Sequence, residues 1–195
     1  MTKRVSEKRR ETSETKIACD LNLDGDGKAE VATGIGFLDH LFTALARHAR
    51  FDLTLRCEGD LNVDDHHTAE DCAIVLGQAI DEALGDRRGI ARFGWAYAPM
   101  DESLARASVD LSGRPFAVAS IRLAGERVGE LASENVEHVV ASLAEASRSA
   151  IHVDVLRGMN DHHRAEAAFK ALALALRQAV ASDGSSDVPS TKGVL

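Results

Sequence analysis

Apolar and polar residues alternate imperfectly over residues 15–23, the period-two pattern of a strand with one buried face. Asp24-Gly25-Asp26-Gly27 follows. Asp-Gly pairs supply the positive φ angles of tight turns, so residues 29–33 are expected to return as the partner strand of a hairpin. The period then changes. Leu38, Leu41, Phe42 and Leu45 fall at helical spacing and predict a helix over about 38–48, introduced by Gly34 and Gly36. Residues 51–58 read as a strand with Leu53 and Leu55 on one face. Residues 68–84 read as a long amphipathic helix ended by Gly85.

The same order recurs. Strands are expected at 104–111 and 116–123 around the turn Ser112-Gly113-Arg114-Pro115, a helix at 135–150, a strand at 151–156 and a second long helix at 163–181. The tail 182–195 carries Gly, Ser and Pro and reads as a loop. The chain is therefore an internal repeat of about one hundred residues. No linker separates the halves, which points to one domain over 1–195, made of repeats at about 3–89 and 90–182 plus the tail 183–195. Two layers of sheet enclosing a helical middle would bury both amphipathic helix pairs.

Composition narrows the class. Hydrophobic residues make up 45% and aromatic residues 4%, so the core must rest on Ala, Val, Leu and Ile. A net charge of −8 argues against a general nucleic-acid binder, whose phosphate contacts need clustered Lys and Arg. The one basic run, Lys3, Arg4, Lys8, Arg9 and Arg10, reads as a solvated arm or an edge strand. No apolar stretch approaches the roughly 20 residues of a membrane span, and no apolar segment follows the N-terminal charges as a signal peptide would require. Cys19, Cys57 and Cys72 are odd in number and form no CxxC pair, so reduced thiols in a cytoplasmic protein are expected. Cys72, beside Ala73, Ile74 and Val75, reads as a buried structural thiol.

The chemistry lies in the histidines. Six of the eight fall in the repeated pattern: His40, then His66-His67-x-x-Glu70; His138, then His162-His163-x-x-Glu166. On a helix, residues i and i+4 share a face while i+1 is turned by about 100°. His66 and Glu70 can therefore grip one ion together, and His162 and Glu166 another, while His67 and His163 point elsewhere. The symmetric solution adds His163 to His66 and Glu70, and His67 to His162 and Glu166. His40 and His138 then complete one site each, giving three imidazoles and one carboxylate per ion. Such a set can close a tetrahedral zinc site, or leave two positions open on a six-coordinate ion, which favours Mn, Fe or a similar metal. Asp64, Asp65, Asp71 and Asp161 flank the motifs. They are candidates to orient imidazole nitrogens, or, for Asp65 and Asp161, to cap helices.

At these residues the chain resembles the imidazoleglycerol-phosphate dehydratase family. The matching stretches include GIGFLDHLF at 34–42, GDLNVDDHHTAEDCAIVLGQAI at 59–80, RRGIARFG at 87–94, PMDESLAR at 99–106, DLSGRPF at 110–116, NDHHRAEAAFKAL at 160–172 and PSTKGVL at 189–195. The resemblance implies an α+β fold, an internally duplicated unit with helices sandwiched between two four-stranded mixed β-sheets (ribosomal protein S5 domain 2-like repeats). It implies two Mn(II) ions per active site, metal sites between subunits, and self-association to a 24-subunit shell built from trimers. The implied activity is a hydro-lyase of histidine biosynthesis, which removes water from imidazole glycerol phosphate through a metal-bound imidazolate to give imidazole acetol phosphate.

By position, the resemblance casts Glu14, His66 and His163 as catalytic, with Glu14 taking the C–H proton. It casts Glu14, His48, Arg92, Asp101, Arg114, Lys170, Ser190 and Lys192 as substrate contacts. Arg suits bidentate phosphate binding and Lys a point charge. Two positions depart from the family pattern. Ala44 stands where a substrate-holding Gln is usual, and Val139-Val140 where Phe-Phe is usual. A two-metal hydrolase or a non-catalytic metal-binding cage are the alternatives that the metal motif alone leaves open.

Overall fold

In a computed structural model describing residues 3–195, the basic run near the N-terminus is an edge strand, β1 (Val5–Glu11). It pairs antiparallel with β2 (Thr15–Asn22), from Val5↔Asn22 to Glu11↔Lys16. The expected hairpin at Asp24–Gly27 does not form. The strand that follows, β3 (Ala29–Ala32), pairs in parallel with β4 (Asp52–Gly59), and β4 lies between it and β2. Asp52 is the cause. Its Oδ1 accepts the backbone N–H groups of Asp26 and Lys28 at 2.9 and 3.0 Å, so the turn is fastened to the start of β4. A parallel pair needs a crossover, and the helix α1 (Gly36–Ala49) supplies it. The sheet order is β1-β2-β4-β3.

The second half repeats this order. Strands β5 (Phe93–Met100), β6 (Ser103–Asp110), β7 (Phe116–Ser120) and β10 (Ala150–Arg157) form the sheet β5-β6-β10-β7, with β10 and β7 parallel. The turn 112–115 therefore leads from β6 to a strand that pairs with β10 and not with β6. A short ribbon, β8 (Arg127–Val128) and β9 (Leu131–Ala132), precedes the third helix. The first strand of this sheet was not legible in the sequence because its pattern is inverted. Phe93, Trp95 and Tyr97 face outward and are exposed, while Gly94 and Ala98 face in. A Cβ at Gly94 would stand 1.9 Å from Ala175 O, so only glycine lets the strand approach the helix behind it.

Four helices fill the space between the sheets: α1, α2 (His66–Leu84), α3 (Ser133–Ala146) and α4 (Asp161–Ala179). α2 packs on β1, β2 and β4, and α4 on β5, β6 and β10. Across the middle, α1 packs on α4 and α2 on α3, so each helix pair joins the two halves. Low aromatic content is met by close approach: Ala165, Ala167, Ala168, Ala171, Ala173, Ala175 and Ala179 of α4 are all buried. Phe42, Phe51 and Phe169 supply the bulk, and each such fully buried side chain contributes about 1.5–3 kcal/mol. Val139 and Val140 are core residues of α3, consistent with a packing role at that departure from the family pattern. Cys19 and Cys72 are buried, Cys57 is half-buried and all three are free thiols; burial pushes Cys19 up to about 12.

Arg87 ties the halves together near the ends of α2 and α3. Its buried guanidinium pairs with Asp81 and donates to the carbonyls of Ser147 and Arg148 at 2.9 and 3.1 Å. Beyond α4 the tail forms no helix or strand apart from the bridge Ile90↔Ser182. Among the described residues no helix is long and apolar enough to cross a membrane.

Candidate metal centre

The first turn of α2 places His66 and Glu70 on one face, and the packing of α2 on α3 brings His138 to them. His66 Nε2 lies 3.8 Å from Glu70 Oε2, and His138 Nε2 lies 3.2 Å from Glu70 Oε1. The two imidazoles stack at 4.9 Å. His66 Nδ1 donates to Asn135 Oδ1 at 3.0 Å, and Asn135 Nδ2 donates in turn to Asp65 Oδ2 at 3.0 Å. With Nδ1 carrying the proton, Nε2 keeps its lone pair for a metal. Among the described residues His138 Nε2, which is buried, has no hydrogen-bond partner, because its approach to Glu70 lacks hydrogen-bond geometry. A buried nitrogen left unsatisfied is costly, and a cation between it and the carboxylate would satisfy it. The residues therefore fit a metal ion.

The packing of α1 on α4 builds the second group. His40 Nε2 and His162 Nε2 both point at Glu166 Oε2, at 3.0 and 3.2 Å. In each group, ligand atoms from all three residues lie within 4.8 Å of one another. Burial opposes ionisation of Glu166, but Lys170 and His40 outweigh it and hold the carboxyl down at about 2. Lys170 Nζ sits 2.6 Å from Glu166 Oε1. The ring of Phe37 packs 4.9 Å from that of His162.

His67 and His163 turn away, as the helical geometry requires, and meet equivalent surroundings. His67 Nδ1 donates to Asp60 Oδ2 at 3.0 Å, and its Nε2 lies 3.8 Å from Glu14 Oε1. His163 Nδ1 donates to Glu102 Oε2 at 2.7 Å, and its Nε2 lies 3.7 Å from Asp101 Oδ2. Asp60 raises the pKa of His67, and Glu102 raises that of His163. Glu102 also accepts the backbone N–H groups of Asn160 and Met159. These bonds and His163 hold its carboxyl well below the usual carboxylate range.

The pairing of His163 with His66 and Glu70, and of His67 with His162 and Glu166, is not made within one chain. Each group gathers three candidate ligands, two imidazoles and a carboxylate. The expected orienting carboxylates also differ. Asp64 accepts the backbone N–H of His66, Asp71 pairs with Arg10 and Thr15, and Asp161 accepts the N–H groups of Ala124 and Gly125. Only Asp65 acts on an imidazole, and it does so through Asn135. The groups that orient the rings are Asn135, Asp60 and Glu102. Asn135 was open to discovery, one helical turn before His138. Glu102 lies 61 residues from His163 and left no local signal.

The remaining candidates fall into two sets. Glu14, Asp101 and Lys170 stand beside the histidines and Glu166. His48 lies within electrostatic reach of Lys170 and Glu166, and burial followed by Lys170 lowers its pKa. Ala44 is buried on α1, one turn from both His40 and His48. The other set gathers at the tail. Arg92, at φ 67°, forms a bidentate pair with Asp110 and donates to Pro189 O at 2.7 Å, immediately before Ser190. A Cβ at Gly113 would lie 2.7 Å from the carbonyl carbon of Leu195, so the end of the tail rests against the turn that carries the exposed Arg114. Lys192 donates its backbone N–H to Ser190 Oγ at 3.2 Å. Among the described residues no hydrogen bond or ion pair joins the two sets.

The chain is similar to known proteins over most of its length. The family model described as imidazoleglycerol-phosphate dehydratase matches residues 33–176. Proteins named imidazoleglycerol-phosphate dehydratase are similar over most of the chain. The one from Phytophthora nicotianae is 60% identical over 95% of this chain, a match that takes in 41% of that longer protein. The one from Kluyveromyces lactis is 58% identical over 85% of this chain and 75% of its own. The one from Saccharomyces cerevisiae is 51% identical over 100% of both. Among solved structures, the dehydratase from Staphylococcus aureus superposes with a TM-score of 0.82 at 36% identity, covering 91% of this chain and 99% of its own. The one from Pyrococcus furiosus, in complex with (S)-C348, gives 0.84 at 39% identity, covering 96% and 100%.

Proposed function

This chain belongs to the imidazoleglycerol-phosphate dehydratase family and is a lyase of histidine biosynthesis, and we propose that it works with two metal ions, Mn(II) by preference. The observation that supports this most is the convergence of His66, Glu70 and His138, and of His40, His162 and Glu166, with His138 Nε2 buried and unpartnered. These six residues would hold the ions. His67 and His163, aimed outward from their own groups, would complete the groups of neighbouring copies, in a 24-subunit shell built from trimers. That shell would operate in the cytoplasm. The chain would act as one domain of two repeats, 3–89 and 90–182, with the tail 183–195 closing over substrate.

When bound, the ions supply Lewis acidity at the substrate's imidazole, favouring loss of its ring proton. The chain's own residues do the rest. The carbon that must lose a proton bears a hydroxyl and no carbonyl, so a base must stand against it. Glu14 Oε1, held beside His67, would take that proton while the C–O bond on the neighbouring carbon breaks; the hydroxyl leaves as water, and the enol left behind becomes the ketone. Asp101 occupies the equivalent place beside His163. Arg92, Arg114, Ser190 and Lys192 grip the phosphate, and Lys170 and His48 line the reacting end. Phosphate binding converts remote contacts into alignment of the reacting carbon.

The test is a dehydration assay on chelated protein, with Mn, Zn and Fe restored separately. Dehydration that returns with added metal supports the proposal. Release of inorganic phosphate would identify a two-metal hydrolase, and metal binding without turnover a cage.

A further inference from the structure

The two metal groups occupy equivalent places in the repeat, yet their surroundings differ at two corresponding positions. Four residues beyond Glu166 stands Lys170, its Nζ 2.6 Å from Glu166 Oε1. Four residues beyond Glu70, in the same place on α2, stands Ile74. Three residues before His138 stands Asn135, which orients His66 and is itself held by Asp65. Three residues before His40 stands Phe37, whose ring packs beside His162 and offers that imidazole no hydrogen bond.

We infer that the two groups bind divalent cations unequally, the one built on Glu70 filling first, and that Lys170 sets the difference. The inference rests on the two-metal proposal above.

Charge is the first reason. With neutral imidazoles, the Glu70 group carries one negative charge. Among the described residues no ammonium or guanidinium pairs with Glu70, whose charge partners are His66 and His138. The Glu166 group carries the same carboxylate together with a lysine ammonium, for a sum of zero. Ligand charge is a principal control of divalent-cation affinity. A positive charge held against one oxygen of a carboxylate repels a cation at the other oxygen, and the partly buried setting weakens the screening of that repulsion. Lys170 and Glu166 side chains are 20% and 10% exposed, so this pair has little solvent around it. On the Glu70 side, that region is instead a cavity of about 500 Å³ lined by Ile74, Ser142, Glu145 and Ala146.

Preorganisation is the second reason. His66 has its ring direction and tautomer fixed by Asn135, and His138 presents a buried nitrogen with no competing partner. His40 and His162 crowd the same carboxylate oxygen, and among the described residues no hydrogen bond orients either ring through its other nitrogen. The Glu70 group is thus the better prepared of the two before any ion arrives.

The experiment uses the full chain, stripped with a chelator and titrated with Mn(II) alone, while electron paramagnetic resonance counts the free ion. Two classes of site, one ion each per chain, with dissociation constants at least about tenfold apart are expected. Lys170→Ile installs the residue found at the corresponding position, and Lys170→Met keeps the length of the stem. Both should tighten the weaker class by about tenfold or more and leave the tighter class in place. Asn135→Leu should act oppositely, weakening the tighter class by about 10–100-fold, the usual effect of losing an imidazole's supporting partner. Two ions bound with one affinity would overturn the inference while leaving the two-metal proposal standing. So would a weaker class unmoved by both Lys170 substitutions. Absence of Mn(II) binding would remove both.

Discussion

His163 donates a hydrogen bond from Nδ1 to Glu102 Oε2 at 2.7 Å, and this bond fixes both the direction of the ring and its readiness to take a proton. Glu102 raises the folded-state pKa of His163 above its ordinary value of about 6.5. In metal-free protein the pair therefore adds stability that is fully present below about pH 6.5 and is lost as pH rises through the raised value. Glu102 is held far below its own ordinary value, so its contribution is lost progressively as pH falls below about 4.5 and stays constant across this window. Thermal unfolding of chelated protein, wild type against Glu102→Gln, should show a gap in Tm that narrows from pH 6 to pH 8.5. A gap independent of pH would show that the bond does not depend on a protonated ring.

Glu14→Gln preserves shape and removes the base. Turnover should fall by roughly 10²–10⁴, the range for loss of a general base, while equilibrium binding of substrate changes little. Turnover kept within a few-fold would transfer the role to Asp101, which stands beside His163 as Glu14 stands beside His67.

Each candidate metal group gathers three side chains, and His67 and His163 face away from both. If neighbouring copies exchange these imidazoles, metal binding and assembly share one free energy. Chelation should convert the large particle to small oligomers, and Mn(II) should restore it. Light scattering follows the mass directly, and an unchanged mass after complete metal removal would contradict the exchange.

Arg87→Met should destabilise the fold by about 3 kcal/mol, the lower end of the cost of breaking a buried ion pair from one side. The substitution leaves the carbonyls of Ser147 and Arg148 without their donor and Asp81 with only the Arg148 guanidinium, 3.7 Å away, where the two halves meet. Urea unfolding of the metal-free chain measures it. A loss under 1 kcal/mol would mean that water enters and replaces the guanidinium.

Helical periodicity and the duplicated His-His-x-x-Glu motif were enough to place α1, α2, α3 and α4 and to pick out the side chains that gather in the two candidate groups, because those signals are local. Which residues would meet depended on packing. The sequence left His40 and His138 unassigned between the groups; the crossing of α1 on α4 and of α2 on α3 sends His40 to Glu166 and His138 to Glu70. Strand pairing was less legible. The Asp24–Gly27 turn has hairpin chemistry, but Asp52 captures its backbone and delivers β3 to the far side of β4. β5 hid because a helix pressed against Gly94 demands small residues inside, leaving Trp95 and Tyr97 outside. Asp60 and Glu102 reach their imidazoles from loops, and no spacing rule points to such partners.

Every histidine–glutamate contact that links two helices in these groups spans the chain's midpoint: His138 reaches back to Glu70, and His40 reaches forward to Glu166. Neither half-length segment on its own contains a full ligand group. Two identical copies of one half, docked face to face about a twofold axis, would contain two, and symmetry would force them to be the same. Joining the copies end to end lifts that constraint. Position 74 can then be isoleucine while position 170 is lysine, and position 37 phenylalanine while position 135 is asparagine. Covalent continuity thus gives this chain something a symmetric dimer of half-chains could never hold: a left and a right.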